Sequence, residues 1–191
     1  MTQARAPRAD AVRNRKKILA AARHQITLHG PGVGMDEIAA AAEVAVGTLY
    51  RHFPTKTDLV GAVVAESIGE VADDAEAAQE RVESGANAMQ EVEAFIGRTV
   101  EASARDRVVK TAAQALGAAS TDTAEEARAR AALATLITAA QTSGDLHPDV
   151  TVEDFYLLLS TAPSDRPSEA RARWLTLTLP GLTSRGRAPH G

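Results

Sequence analysis

The chain of 191 residues contains no cysteine, so neither a disulfide framework nor a thiolate metal site is open to it. Aromatic residues are scarce, with one Trp, two Tyr and three Phe. No apolar run approaches the roughly 18 residues needed to span a bilayer, and the opening MTQARAPRAD lacks the apolar stretch of a secretory signal. A cytoplasmic protein is the expectation. Strand-like alternation of apolar and polar residues never persists, which excludes a sheet as the organising element. The five histidines are scattered, and none stands four residues from another in a metal-binding pattern. No phosphate-cradling glycine loop or paired acid and base residues stand out. No metal, no cofactor and no enzymatic activity are expected.

What is present is Ala, Leu, Glu and Arg at helical spacing. The net charge of -4 is unevenly placed. Residues 1–60 carry nine Lys or Arg against five Asp or Glu, and the rest carries twelve against twenty. A small basic head on a larger acidic body suits a head that meets a polyanion.

The pattern predicts about nine helices and an all-α fold. Residues 1–9 read as a disordered arm, followed by a helix over 10–29 that the GPGVG run at 30–34 stops. Short helices follow at 35–42 and 46–52, and Pro54 breaks the chain. Thr55 is an N-cap with Asp58 three residues on, opening a helix to about residue 82. Further helices are expected at 87–104, 106–118, 122–142 (opened by Thr121-Asp122), 151–162 (capped by Asp149 or Thr151) and 168–180.

Residues 35–53 then form two short helices around a tight turn, with the first helix behind. That is a helix-turn-helix, whose second helix enters a DNA major groove about 12 Å wide. Ala45, Val46 and Gly47 keep its leading end slim. Thr48 can meet a phosphate or a thymine methyl, while Tyr50, Arg51 and His52 reach further toward phosphates. Leu49 and Phe53 read as core.

GTLYRHFPTKTDLV, behind IAAAAEVAV and the opening RNRKKILAAARHQITLHG, resembles the DNA-binding head of the TetR family of bacterial transcriptional regulators over roughly residues 12–64. The resemblance implies a homodimeric, sequence-specific repressor released by a small-molecule ligand and acting on a near-palindromic operator. Its domains would be a helix-turn-helix at 10–55, an effector-binding and dimerisation body at 56–182, and a flexible tail at 183–191. It places Val46, Gly47 and Thr48 at the bases, Tyr50 and His52 on phosphates, and Lys56 on the DNA backbone. Arg51 sits where the family varies. Three positions depart from the pattern. Position 43 usually holds glycine in a left-handed turn, where Glu43 costs about 1 kcal/mol. Met35 replaces a phosphate-binding Ser or Thr. Asp36 either accepts from a cytosine or simply favours the helix N-terminus. These departures leave open a helical dimeric interaction protein whose head has weakened or lost DNA binding. Arg5 and Arg8, and Arg13, Arg15, Lys16 and Lys17, either approach DNA or form a wet surface.

In the body, Phe155-Tyr156-Leu157-Leu158-Leu159 is apolar all round its helix and needs cover on more than one side. With Trp174 and Leu177 of the last helix, Phe155, Leu158 and Leu159 are the expected dimer contacts. A ligand pocket is expected among Met89, Val92, Phe95, Ile96, Leu116, Leu133 and Ile137, with Thr111, Gln114, Thr138 and Gln141 as polar groups.

Overall fold

The computed structural model describes residues 6–118 and 124–185. Among them run nine α-helices and no strand: α1 (Ala6–His29), α2 (Met35–Ala41), α3 (Val46–His52), α4 (Lys56–Glu83), α5 (Ala88–Arg105), α6 (Arg107–Ala115), α7 (Ala124–Thr142), α8 (Val152–Ser160) and α9 (Ser168–Thr178). A 3₁₀ turn, Leu179–Leu182, follows. The all-α expectation holds. By their contacts the described residues fall into two compact units, one within Met1–Glu66 and Asp106–Thr121, the other within Ser67–Arg105 and Asp122–Gly191.

In the first unit, Ile18, Ala22 and Ile26 recur every four residues on α1, and with Leu19 they are fully buried. They pack with Ile38 and Ala39 of α2, Leu49 of α3, Leu59 and Val63 of α4, and Val109 and Ala112 of α6. Arg23 of α1 reaches two other elements. Its Nη2 lies 3.5 Å from Glu66 of α4, and its Nε 3.8 Å from Asp106, the N-cap of α6, whose side chain is 3% exposed.

The second unit centres on α5 against α7, through Val92, Phe95, Ile96 and Val100 facing Leu133, Leu136 and Ile137. Ala75 and Ala78 of α4 and Phe155 of α8 close this core. Ion pairs cross its surface: Arg98 to Asp74 at 2.9 Å, Arg105 to Glu70 at 3.2 Å and Arg171 to Glu101. The Arg171 guanidinium holds the Glu101 carboxyl below its usual value. Exposed pairs of this kind contribute little each.

Caps follow the sequence where they were anticipated. Thr55 and Asp58 exchange bonds, with Thr55 Oγ1 donating to Asp58 Oδ2 at 2.7 Å and the Asp58 N–H donating back at 3.1 Å. Of the two candidates for α8, Thr151 is the N-cap, boxed with Asp154. The Thr121-Asp122 start of α7 lies outside the described residues, as do Arg5, the side chain of Arg8, and residues 186–191.

Helix ends shift by one to three residues, the most at α6, which stops at Ala115 rather than 118, and two boundaries differ in kind. α1 begins at Ala6 rather than residue 10, because Pro7 falls in its first turn, where the missing N–H breaks no helical bond. The stretch from 183 onward is held at its start. Thr183 pairs with Leu146 in an isolated antiparallel bridge, and the Ser184 N–H donates to the Asp145 carbonyl at 3.0 Å. The α7–α8 connection thus finds backbone partners in this segment.

Candidate nucleic-acid interface

The turn between α2 and α3 is made by backbone bonds. Glu43 N–H donates to the Ala40 carbonyl at 3.1 Å, and Val44 N–H to that of Ala39 at 3.1 Å. This pair of bonds is a Schellman motif, with Glu43 in the left-handed position at φ 55°. The same two bonds close α4 at Gly85, α6 at Gly117 and α7 at Gly144. Glu43 is the one non-glycine residue with positive φ among the described residues. The strain anticipated at position 43 is present, and the turn keeps its shape despite the side chain. Its carboxylate, 82% exposed, lies 3.3 Å from Lys17 Nζ of α1.

From that turn α3 divides cleanly. Leu49 and Phe53 point into the core at 0% and 4% exposure, as expected. On the other side, Val46 is 41% and Tyr50 44% exposed, with Gly47 and Arg51 also open. Thr48 and His52 flank this face half-buried. A Cβ built on Gly47 would meet nothing within 4 Å, and its φ is not in the left-handed region. Neither packing nor backbone geometry inside the chain calls for glycine there.

The neighbouring cations are held in different ways. The Arg15 guanidinium of α1 lies over the Phe53 ring, 5.5 Å from its centroid, which brings it beside the C-terminal end of α3. Nothing in the sequence sets Arg15 apart from Arg13, Lys16 and Lys17, since the stack depends on packing between distant elements. Lys56 Nζ donates to the carbonyls of Pro31 and Val33. On α2, Asp36 is exposed in the first turn and Met35 is half-buried against the core.

In the second unit, the structure brings Met89, Val92, Phe95, Ile96, Leu133 and Ile137 together, but as close-packed core. Thr111 and Gln114 are exposed on α6, and Leu116 is half-buried against the first unit's core, so these three belong to the first unit and the six to the second. Thr138 is exposed and its hydroxyl donates to the Ala134 carbonyl. Gln141 Nε2 donates to the carbonyls of His147, Pro148 and Val150, which staples a loop. A concavity of about 830 Å³ lies elsewhere, lined by Glu70, Val71 and Asp74 of α4 and by Ala94, Gly97, Arg98, Thr99, Glu101, Ala102 and Arg105 of α5. None of the expected pocket residues lines it.

The expected dimer contacts separate too. Phe155 is 0% exposed within one chain, so the reading of it as an intermolecular contact is corrected: α5 and α7 already cover it. Leu158, Leu159 and Trp174 are half-buried on the same core. Leu177 is 64% exposed, and so is a residue not singled out before, Leu157, at 65%.

A family model described as bacterial regulatory proteins, tetR family, matches residues 18–63. A second, described as transcriptional regulator SbtR-like, C-terminal domain, matches residues 88–184. Among solved structures, a TetR transcription regulatory protein from Mycobacterium vanbaalenii is 32% identical, with a TM-score of 0.72 over 92% of this chain and 98% of that one. A TetR transcriptional regulator from Streptomyces coelicolor is 26% identical, with a TM-score of 0.68 over 88% of this chain and 98% of that one. A gamma-butyrolactone receptor, described as ArpA-like, is 19% identical with a TM-score of 0.59 over 90% of this chain and 86% of that one, a likeness of fold alone. A search of curated proteins returns no match.

Proposed function

The chain belongs to the TetR family of bacterial transcriptional regulators, and on that premise we propose that it is a dimeric repressor that binds a near-palindromic operator and is released by a small molecule. The observation that carries the DNA-binding reading is the open face of α3. Glycine inside a helix is less favourable than alanine by roughly 0.5–1 kcal/mol, and no neighbour within the chain needs the space beside Gly47. A close approach from outside supplies the reason. In this reading Val46, Gly47 and Thr48 lie along base edges in the major groove, with Arg51 beside them. Tyr50 and His52 hold phosphates, and Arg15 joins them from α1. Met35 and Asp36 lie toward the DNA at the start of α2.

The dimer is assigned to α8 and α9 through Leu157 and Leu177, each exposed and apolar on its own helix. Two heads on a twofold axis would read half-sites about 34–36 Å apart. A ligand of the second unit would act by favouring a head spacing that no longer fits the operator. Such a protein works beside the chromosome in the cytoplasm, and as a regulator rather than an enzyme.

The test is selection of bound fragments from random and genomic duplexes, followed by gel shifts across a salt series. A palindromic consensus bound with a strong salt slope is the expected result. Absence of any sequence-selective complex at sub-micromolar protein would sink the DNA-binding reading.

A further inference from the structure

α1 is longer than the core it packs on. Its buried residues are Ile18, Leu19, Ala22 and Ile26, and among residues 10–17 only Asn14 is even half-buried. Yet the helix begins at Ala6. At about 1.5 Å per residue, the stretch from Ala6 to Asn14 carries it about 12 Å further. Most helical stability in proteins comes from tertiary packing, and these turns draw little of it from the rest of the head.

The side they present follows from register. At about 100° per residue, positions 8, 11, 12 and 15 continue the row that 18, 19, 22 and 26 form in the core. Those positions hold Arg8, Ala11, Val12 and Arg15. Arg15 ties the row to α3, because its guanidinium lies 5.5 Å from the centre of the ring of Phe53, the C-cap of that helix. Val12, one turn further out, is 58% exposed on the side where its counterparts in the core are buried. The other cations of the segment lie off the row. Arg13 falls on the opposite side and pairs with Asp10 at 3.4 Å, Lys17 pairs with Glu43 at 3.3 Å, and Lys16 lies on a flank.

We propose that the projecting turns of α1 are a second DNA-contacting element, whose row of Arg8, Ala11, Val12 and Arg15 lies along the phosphodiester backbone beside the half-site that α3 reads. Two observations make double-stranded DNA the occupant. Residues 6–17 carry five Lys or Arg against one Asp, which is complementary to a polyanion. The row is also continuous, through Arg15, with the end of α3. Ala11 and Val12 are short and let the helix come close to the strand, while positions 8 and 15 supply the cations. Phosphate contacts carry no sequence information, so this element adds affinity and leaves the consensus to α3. The proposal rests on the DNA-binding reading above and enlarges the surface that it uses.

The experiment is a salt series on the selected operator duplex with the full chain. Arg8→Gln should reduce the slope of log K against log salt by about 0.9 for each protomer bound, with the selected consensus unchanged. Arg13→Gln removes the same charge from the opposite side of the helix and should leave the slope as it is. Val12→Asp should weaken binding by about 10-fold or more, with a melting temperature within about 2 °C of the unaltered protein because the side chain is exposed. An unchanged slope with Arg8→Gln, or an equal reduction with Arg13→Gln, would overturn the proposal. So would a changed consensus, which would make position 8 a base reader. If Val12→Asp melts early, the two arginine variants decide. If the unaltered protein binds no duplex, the DNA-binding reading and this proposal fall together, whereas an unchanged slope in an Arg8→Gln protein that still binds removes this proposal alone.

Discussion

Replacing Gly47 by alanine separates a residue kept for folding from one kept for a partner. Gly47 is the second residue of α3, in helical conformation, and an added Cβ enters open space. The methyl group therefore meets no steric penalty in the free protein. It removes the backbone freedom that glycine carries in the unfolded chain, an effect of roughly 0.5–1 kcal/mol in a helix interior and about half that in a first turn. At this chain length, 1 kcal/mol corresponds to about 2–4 °C, so the melting temperature should rise by about 0.5–2 °C. Operator binding should move the other way. A methyl group at the point of closest approach displaces the helix and weakens contacts worth about 1–3 kcal/mol each, so a loss of about 10-fold or more is expected. Calorimetry of the free protein and titration of a labelled duplex at fixed salt measure the two effects. Lower thermal stability would refute the claim of open space. Unchanged or tighter binding would refute the claim that DNA approaches there.

Four other outcomes follow from the geometry. Glu43→Gly should stabilise the protein by about 0.5–1 kcal/mol in denaturant unfolding, because relief of about 1–2 kcal/mol of left-handed strain is partly offset by glycine's greater unfolded-state entropy; destabilisation would mean the Lys17 pair outweighs the strain. Asp106→Ala should cost about 3–5 kcal/mol in the same assay, since it leaves Arg23 beside a nearly buried site with less compensation; a change below 1 kcal/mol would contradict that. Leu157→Asp with Leu177→Asp should yield a folded monomer by analytical ultracentrifugation, whereas Phe155→Ala should lose about 3–5 kcal/mol of stability; a dimer that persists in the double variant assigns the interface elsewhere. Tyr50→Phe should weaken selected and unselected duplexes alike, while Val46 substitutions alter the selected sequence; a change of consensus with Tyr50→Phe would make it a base-reading residue.

The elements that were legible in the sequence are those fixed by neighbours within a turn or two. The Thr55–Asp58 exchange and the inward pair Leu49 and Phe53 each depend on spacing of four residues or fewer, and each appears in the structure; the left-handed residue at 43, which the family resemblance implied, appears as well. Pro7 misled because a proline that ends a helix interior is harmless in a first turn. Phe155 misled for a different reason. Periodicity shows that α8 has more apolar surface than one partner covers, but not which side each partner takes. Phe155 faces α5 and α7, while Leu157, two residues on, stays open.

Long-range packing decided the rest. Thr111 and Gln114 lie on an amphipathic helix whose buried side, Val109 and Ala112, joins the core built by α1; nothing within α6 names that partner. Lys56 is a sharper case, since its ammonium sits on carbonyls 23 and 25 residues earlier. Gly47 is the converse, since the absence of any neighbour turns an ordinary glycine into evidence for a surface that must stay slim. The two residues differ in their surroundings: the Lys56 ammonium meets carbonyls of its own chain, whereas nothing in the chain approaches the open side of Gly47.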